Sequence, residues 1–257
     1  MTDVATTTRN RPAWIDLASS DVAASGDFYS KLFGWQVAVS PDPQYGGYAM
    51  ATLDGRDVAG IGPKMGDAPT AWSVYIGTDD AVALGNAVQR AGGNVVMPAF
   101  DVGEQGRMAV FQDPSGAFIS AWERKAMRGF ATSGAGAFGW AELNARGLDR
   151  AVPFYEAVFG WTTRTSEMGE GAPPYTEFLL DGESIAGGQE MNSMVPAQVP
   201  SYWQIYFMVR NVDAAYEKAI GLGAHEMLAP MDFPGGRFAI LGDPAGASFG
   251  LLVLPTP

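Results

Sequence analysis

The chain has 257 residues, 47% hydrophobic and 17% charged, the balance of a folded globular protein with ample apolar core. Its formal charge of −12, with no basic stripe, argues against nucleic acid as a partner. Without cysteine there is no disulfide, thiolate metal site or cysteine nucleophile, and no run has the apolar length of a signal peptide or membrane span, so a cytoplasmic protein is expected.

In chain order, a tail (1–10) precedes AWIDL (13–17), an apolar strand. A helix follows, with Ser20 as the expected N-cap, Val22, Phe28, Leu32 and Phe33 as its apolar face, and Gly34 after its end. The DG at 54–55 suits a tight hairpin turn. A new strand starts at Trp72, and TDDAVALGNAVQRAGG supplies a second helix before GRMAVFQDPSGA (106–117). The Gly- and Ala-rich ERKAMRGFATSGAGA then reads as a linker.

Beyond it the text repeats. FYSKLFGW (28–35) returns as FYEAVFGW (154–161), AWIDL as GWAEL (139–143), DGRDVAG as DGESIAG (181–187), WSVY (72–75) as WQIY (203–206), and GRMAVFQDPSGA as GRFAILGDPAGA (236–247). The third helix carries Leu148, Val152, Tyr155 and Phe159, with Pro153 near its first turn, and NVDAAYEKAIGLG gives the fourth. Offsets of 126 to 131 define two tandem modules, 11–123 and 137–257, joined by 124–136. Each module halves again, so the expected fold is α+β: four βαβββ units forming cup-shaped mixed sheets with helices outside.

This order of motifs, FY…LFGW after a strand and helix and a DP.G hairpin before the last strand, resembles the vicinal oxygen chelate superfamily. That group includes glyoxalase I, bleomycin-resistance proteins and extradiol dioxygenases. The resemblance covers nearly the whole chain and is strongest to two-module, glyoxalase-like proteins of actinobacterial type. It implies a ligand held inside a cup and, in metal-using members, His and Glu ligands on the first and fourth strands of each unit. Carried over, those positions fall at Trp14, Ser73, Trp140 and Gln204, and at Gly60, Ser120, Gly187 and Gly250. None is a histidine or carboxylate, the donors that zinc or iron requires once thiolate is absent. The single histidine, His225, reads as a surface residue. No metal and no other cofactor is therefore expected; a metal held by Asp16 and Glu142 is a remote variant.

Strand alternation puts Asp16 on the face of Trp14, Glu142 with Trp140, Tyr75 with Ser73, and Tyr206 with Gln204. A carboxylate desolvated beside tryptophan gains a raised pKa and becomes a general base or acid near neutrality. Asp16 and Glu142, aided by Tyr75 and Tyr206, are the candidate catalytic groups. The alternative is that both carboxylates form structural ion pairs with Arg107 and Arg237. Trp14, Trp140, Trp72 and Trp203 offer aromatic walls for a flat ligand, with Ser73, Gln204, Ser120, Arg107 and Arg237 as further binding candidates. Trp35 and Trp161 read as core. The glycine runs lack a nucleotide-binding context, and the serines lack a nucleophile elbow.

Two functions remain. One is metal-independent acid–base chemistry (isomerisation, cyclisation, elimination or hydration) on an aromatic or polyketide-like molecule. The other is sequestration of an antibiotic or metabolite without chemistry. The doubling supplies the pairing that single-module relatives achieve by dimerising, so a monomer or weak homodimer is expected.

Overall fold

Each half of the chain builds one eight-stranded sheet. The structure, a computed structural model, describes residues 9–254 apart from 128, 169–172 and 193–194. Most of the expected tail, residues 1–8, lies outside the described residues. In the first half, β1 (Pro12–Ser19), α1 (Val22–Phe33), β2 (Gln36–Val39), β3 (Ala49–Leu53) and β4 (Arg56–Pro63) form one unit. The next is β5 (Ala71–Thr78), α2 (Ala81–Arg90), β6 (Asn94–Val102), β7 (Gly106–Gln112) and β8 (Phe118–Arg124). The second half opens with β9 (Phe138–Ala145), α3 (Leu148–Phe159), β10 (Thr162–Ser166), β11 (Tyr175–Leu180) and β12 (Glu183–Glu190). It closes with β13 (Tyr202–Met208), α4 (Val212–Gly221), β14 (His225–Phe233), β15 (Gly236–Gly242) and β16 (Ser248–Val253).

The sheets run β2-β3-β4-β1-β5-β8-β7-β6 and β10-β11-β12-β9-β13-β16-β15-β14. In each, the first strand of a unit lies parallel to its last, and the other neighbours are antiparallel. Both are mixed sheets, and each belongs to a single module: cup 1 to the first, cup 2 to the second. Among the described residues no helix is long and apolar enough to cross a membrane.

Local chemistry sets the boundaries. Asp21, not Ser20, caps α1, its carboxylate accepting from Ala24 N at 2.9 Å; Ser20 stands one residue too early to reach the first turn. Gly34 and Gly160 end α1 and α3 in the left-handed conformation. Gly147 cannot cap α3 with a side chain, and Glu190 accepts from Gly147 N and Leu148 N instead. Pro153 falls in the second turn of α3 rather than the first, which leaves the Asp149 carbonyl without its helical donor. Both Asp-Gly pairs, Asp54-Gly55 and Asp181-Gly182, have positive φ throughout, as a type I′ hairpin demands.

The sheets meet through their helix-bearing faces, so the cups open away from each other. Trp72 of β5 packs edge-on to Phe207 of β13 (5.1 Å), and Tyr29 of α1 lies against Phe207 and Phe249 of the other module. The repeated phrase holds this contact together. Tyr29 donates to Asp243 Oδ2 (3.0 Å) and Tyr155 to Asp113 Oδ2 (2.8 Å), each tyrosine reaching the DP.G turn of the opposite module. The other oxygen of each aspartate fastens its own turn, accepting from Ser115 N and Ala117 N, or from Ala245 N and Ala247 N. Trp35 Nε1 donates to Gly136 O, just before β9, and Trp161 Nε1 to Asn10 O, just before β1.

The segment between the modules is packed rather than loose. Its Lys125 and Met127 N–H groups bind Gln105 O in the β6–β7 turn, and Ala131 N binds Asp57 O in β4. Phe130 is buried edge-on to Trp14 (5.7 Å) and against Phe138 (5.5 Å), so the segment passes across the Trp14 end of cup 1.

Tyr29→Phe and Tyr155→Phe each remove the donor to a buried carboxylate and the acceptor of a buried indole, Trp72 or Trp203. Each is expected to cost about 1–3 kcal/mol in urea unfolding. Loss of less than about 0.5 kcal/mol in both would show that these bonds do not secure the module contact.

Candidate functional site

Register brings the cup residues together in rows. In cup 1, Asp16 lies between Gly60 of β4 and Ser73 of β5, and Tyr75 lies between Trp14 of β1 and Ser120 of β8. Partners across strands share a face, so Trp14, Asp16, Ser73, Tyr75 and Ser120 all project into the cup. In cup 2 the corresponding rows are Gly187–Glu142–Gln204 and Trp140–Tyr206–Gly250.

Four residues stand elsewhere. Trp72 and Trp203 are one position out of phase with Ser73 and Gln204, so they face the helices, donating to the hydroxyls of Tyr29 and Tyr155 at 2.9 Å. They belong to the contact between modules, not to a ligand wall. Arg107 is likewise out of phase with the cup-facing Met108; it pairs with Asp101 (3.2 Å) and Glu123 (3.9 Å). Arg237 pairs with Asp213 (2.7 Å) and Asp232 (2.9 Å). Neither arginine reaches Asp16 or Glu142, and the expected structural ion pairs are not formed. His225 is exposed on β14.

In cup 1, Tyr75 donates to Asp16 Oδ2 at 3.0 Å and Tyr48 to the same oxygen at 3.4 Å, while Trp14 Nε1 donates to the Tyr48 hydroxyl at 3.0 Å. Oδ1 accepts from no described residue and stays open to solvent. Burial pushes the Asp16 carboxyl up to about 6; the two tyrosyl bonds oppose that rise without cancelling it. In cup 2, Glu142 Oε1 accepts from Tyr206 (3.2 Å), Gln189 (3.1 Å) and Asn144 (3.3 Å), and the Tyr175 hydroxyl lies beside the same carboxylate. Burial raises the Glu142 pKa too, with these donors opposing it. Tyr75 and Tyr206 are held well above the ordinary phenol range by burial and by the carboxylate each faces, so they serve as fixed donors.

The metal positions of the resemblance do not fit a metal. A Cβ on Gly60 would stand 1.6 Å from the Tyr48 hydroxyl, one on Gly187 1.9 Å from that of Tyr175, and one on Gly250 2.0 Å from the Tyr206 ring. A tyrosine ring thus occupies the place from which a ligating side chain would project, and the remaining donors are two serine hydroxyls and a carboxamide. Asp16 and Glu142 lie in separate cups facing opposite ways and cannot share an ion. No cluster of three His, Asp or Glu occurs among the described residues.

Sequence reasoning missed Tyr48, Tyr175, Asn144, Gln189 and Trp122. Tyr48 and Tyr175 carried a signal: they match at offset 127, like the DG pairs beside them. Trp122 has no matching tryptophan in the second module; it lies buried in cup 1, edge-on to Tyr75, its Nε1 without a partner among the described residues. Cup 1 is also bridged at its rim. The Tyr45 hydroxyl lies 2.7 Å from where a Cβ on Gly103 would stand, which joins the β2–β3 loop to the β6–β7 turn.

Because the folded-state pKa of Asp16 is raised, folding binds extra protons between the usual carboxylate range and about 6. That stabilisation is complete at low pH and lost as pH rises through 6. Asp16→Asn is therefore expected to stabilise the protein relative to wild type at pH 8 by about 1–3 kcal/mol, and by much less at pH 4, in denaturant titrations at both values. Equal effects at the two pH values would mean that Asp16 titrates normally.

Residues 11–120 match the model of the Glyoxalase/Bleomycin resistance protein/Dioxygenase superfamily, and residues 140–252 match that of the Glyoxalase-like domain. The chain is 39% identical to anthracycline biosynthesis protein DnrV of Streptomyces peucetius, over 95% of this chain and 93% of that one. It is 40% identical to CFP32 of Mycobacterium tuberculosis (strain CDC 1551 / Oshkosh), provisionally named a glyoxylase, over 94% of each. Among solved structures it resembles the Mn(II)-bound glyoxalase from Novosphingobium aromaticivorans (TM-score 0.62, 16% identity, 96% of this chain and 82% of that one). It also resembles the 2,3-dioxygenase LapB from Pseudomonas sp. KL28 (TM-score 0.63, 16% identity, 98% and 96%). At such identity these structures speak for the fold alone. With two matched modules and relatives aligned end to end, this chain belongs to the glyoxalase, bleomycin-resistance and dioxygenase superfamily.

Proposed function

We propose that the protein holds a small aromatic, polyketide-like molecule in cup 1 and that Asp16 moves a proton on it without a metal. The observation that carries this reading is a carboxyl pushed up to about 6, with Oδ2 held by two tyrosines and Oδ1 open. Such a group is mostly ionised at neutral pH yet basic enough to accept a proton, which is the optimum for a general base. Glu142 lies deeper, 8% exposed, with Tyr206, Gln189 and Asn144 all donating to its Oε1.

Among the described residues, the neighbours of Asp16 in the cup include no lysine, arginine or histidine, so a developing anion gains no counter-charge there. Every pKa unit separating the ligand's proton from the base costs about 1.4 kcal/mol. A proton already acidified by conjugation, as on a phenol, hydroxyquinone or β-dicarbonyl, keeps that cost small. Oδ1 takes this proton and the electron pair spreads into the conjugated system. The proton then returns at another atom, for isomerisation or cyclisation, or leaves with departing hydroxide as water, for elimination; hydration is the reverse. Tyr48 and Tyr75 keep Oδ2 in place throughout. Two relatives are named for anthracycline biosynthesis, and anthracyclines are polycyclic hydroxyquinones, which supports this ligand class. Each sheet is complete within one module, which supports a monomer.

Sequestration without chemistry is the second reading. It is favoured by the commitment of both tyrosyl hydroxyls to Asp16, which leaves neither free to protonate a ligand. Capture separates the two: the pure protein is loaded with a small-molecule extract, washed and denatured, and the released compounds are compared with the input by mass and retention time. An altered compound is expected, with Asp16→Asn retaining it unaltered at a rate at least about 100-fold lower. A compound retained and released unchanged by the wild type, with binding destroyed by Trp14→Ala, would establish sequestration.

A further inference from the structure

We propose that the ligand of cup 1 lies flat on a shelf formed by Ala18 and Ala71 beside Asp16 and Ser73, that these small residues set its width, and that cup 2 is a filled copy which takes no ligand. This rests on the reading of cup 1 as the binding site, but it makes a separate claim about where the ligand sits and why the second cup stays closed.

The shelf follows from register. Ala18 lies between Gly62 and Ala71, a row with one side-chain carbon at each alanine and none at the glycine. The same row in cup 2 is Gln189–Asn144–Tyr202, and where cup 1 has Ser73 beside its carboxylate, cup 2 has Gln204. Four small positions on one side thus face four bulky polar ones on the other, over the same backbone. Asp16, Ala18, Ala71 and Ser73 all keep contact with solvent, whereas Glu142 and Asn144 are 8% exposed and Gln204 1%; at the ends of the rows Gly62 is buried beneath Tyr48, and Gln189 and Tyr202 are half-buried.

The bulky set is also bonded to itself. Gln189 Nε2 donates to Asn144 Oδ1 (3.0 Å) and Glu142 Oε1 (3.1 Å), and Ser248 Oγ donates to Gln204 Oε1 (2.6 Å). A ligand entering here would have to break these part-buried bonds and replace each one, because a polar group shut away from water without a partner is costly. Among the described residues of the cup 1 shelf no such network opposes entry, since Ala18 and Ala71 carry no polar side chain. Tyr48 lies across Gly60 and Gly62 and forms one wall of the shelf, and Trp14 stands behind it. The geometry suits a planar fused-ring molecule with an acidic hydroxyl turned toward Asp16 Oδ1.

The test uses the full chain and 1,8-dihydroxyanthraquinone, a flat phenolic probe whose visible absorption reports its ionisation. Titration is followed by that absorption and by the indole N–H resonances of Trp14 and Trp140. One probe per chain is expected, with the Trp14 resonance displaced and that of Trp140 unmoved. Ser73→Gln and Ala71→Tyr, which write cup 2 residues into cup 1, should each weaken binding about tenfold or more. Ala18→Asn is the milder third variant should either fail to fold by circular dichroism. Displacement of Trp140, a stoichiometry of two, or unchanged affinity in the folded variants would overturn the proposal while leaving a pocket protein in place. No binding at either cup would overturn both readings. Binding on the shelf whose effect on probe ionisation survives Asp16→Asn would instead count against Asp16 as the base and leave the shelf intact.

Discussion

The architecture depends on a reciprocal bond between modules: a tyrosine from the first helix of each module donates to the aspartate of the other module's DP.G turn. That aspartate is buried and already holds its own turn with its second oxygen, so one carboxylate fixes both a hairpin and an interface. An indole donates to each tyrosyl oxygen in turn, which completes a chain of polar groups inside an aromatic core. Such a network is favourable only when every member is paired, and here each is. The phrase FY…LFGW is duplicated because both modules supply the same half of a two-fold contact. With the helix-bearing faces locked together, the concave faces are left to serve as cups.

Inside the cups, glycine and tyrosine work as a pair. A glycine on the fourth strand of a unit lets a tyrosine ring lie across the sheet, and the hydroxyl then reaches a carboxylate on the adjacent strand. Neutral donors stabilise an ionised carboxylate less than a cation would, so burial prevails and the pKa stays raised. The same tyrosines exclude side-chain metal ligands from those positions, because ring and ligand would compete for one volume. A cup built this way exchanges a fixed positive charge for a carboxyl whose pKa burial raises.

The two cups share this device and differ in what surrounds it. Beside Asp16 the positions at Ser73, Ala18 and Ala71 are small; beside Glu142 the same positions carry two amides and a further tyrosine. Duplication preserved the backbone and the interface, which both copies need, while the concave faces were free to diverge because neither helps to hold the other module. The segment between the modules adds to the asymmetry, since its Phe130 packs on Trp14 and nothing equivalent follows the second module among the described residues.

The sequence by itself determined the repeat, the four βαβββ units, the helix ends at Gly34 and Gly160, the DG turns, and the absence of a conventional ligand set. All of these are local or depend on matching one half of the chain to the other. Alternation was enough to place Asp16 with Trp14 and Tyr75 with Ser73, because the period of a strand is two. Applied to Trp72 and Trp203, the same rule would have turned them toward the helices, a step that their aromatic character obscured. Only the tertiary structure decided the partners of Arg107 and Arg237, the reach of Tyr48 across β4, and the packing of Phe130. Each depends on residues brought together from separate strands, and strand order and cross-strand register set those distances while sequence spacing does not. The contrast between Ala18 and Asn144, or Ala71 and Tyr202, was visible as letters throughout; it became a difference between an open cup and a filled one only when register placed those letters around a carboxylate.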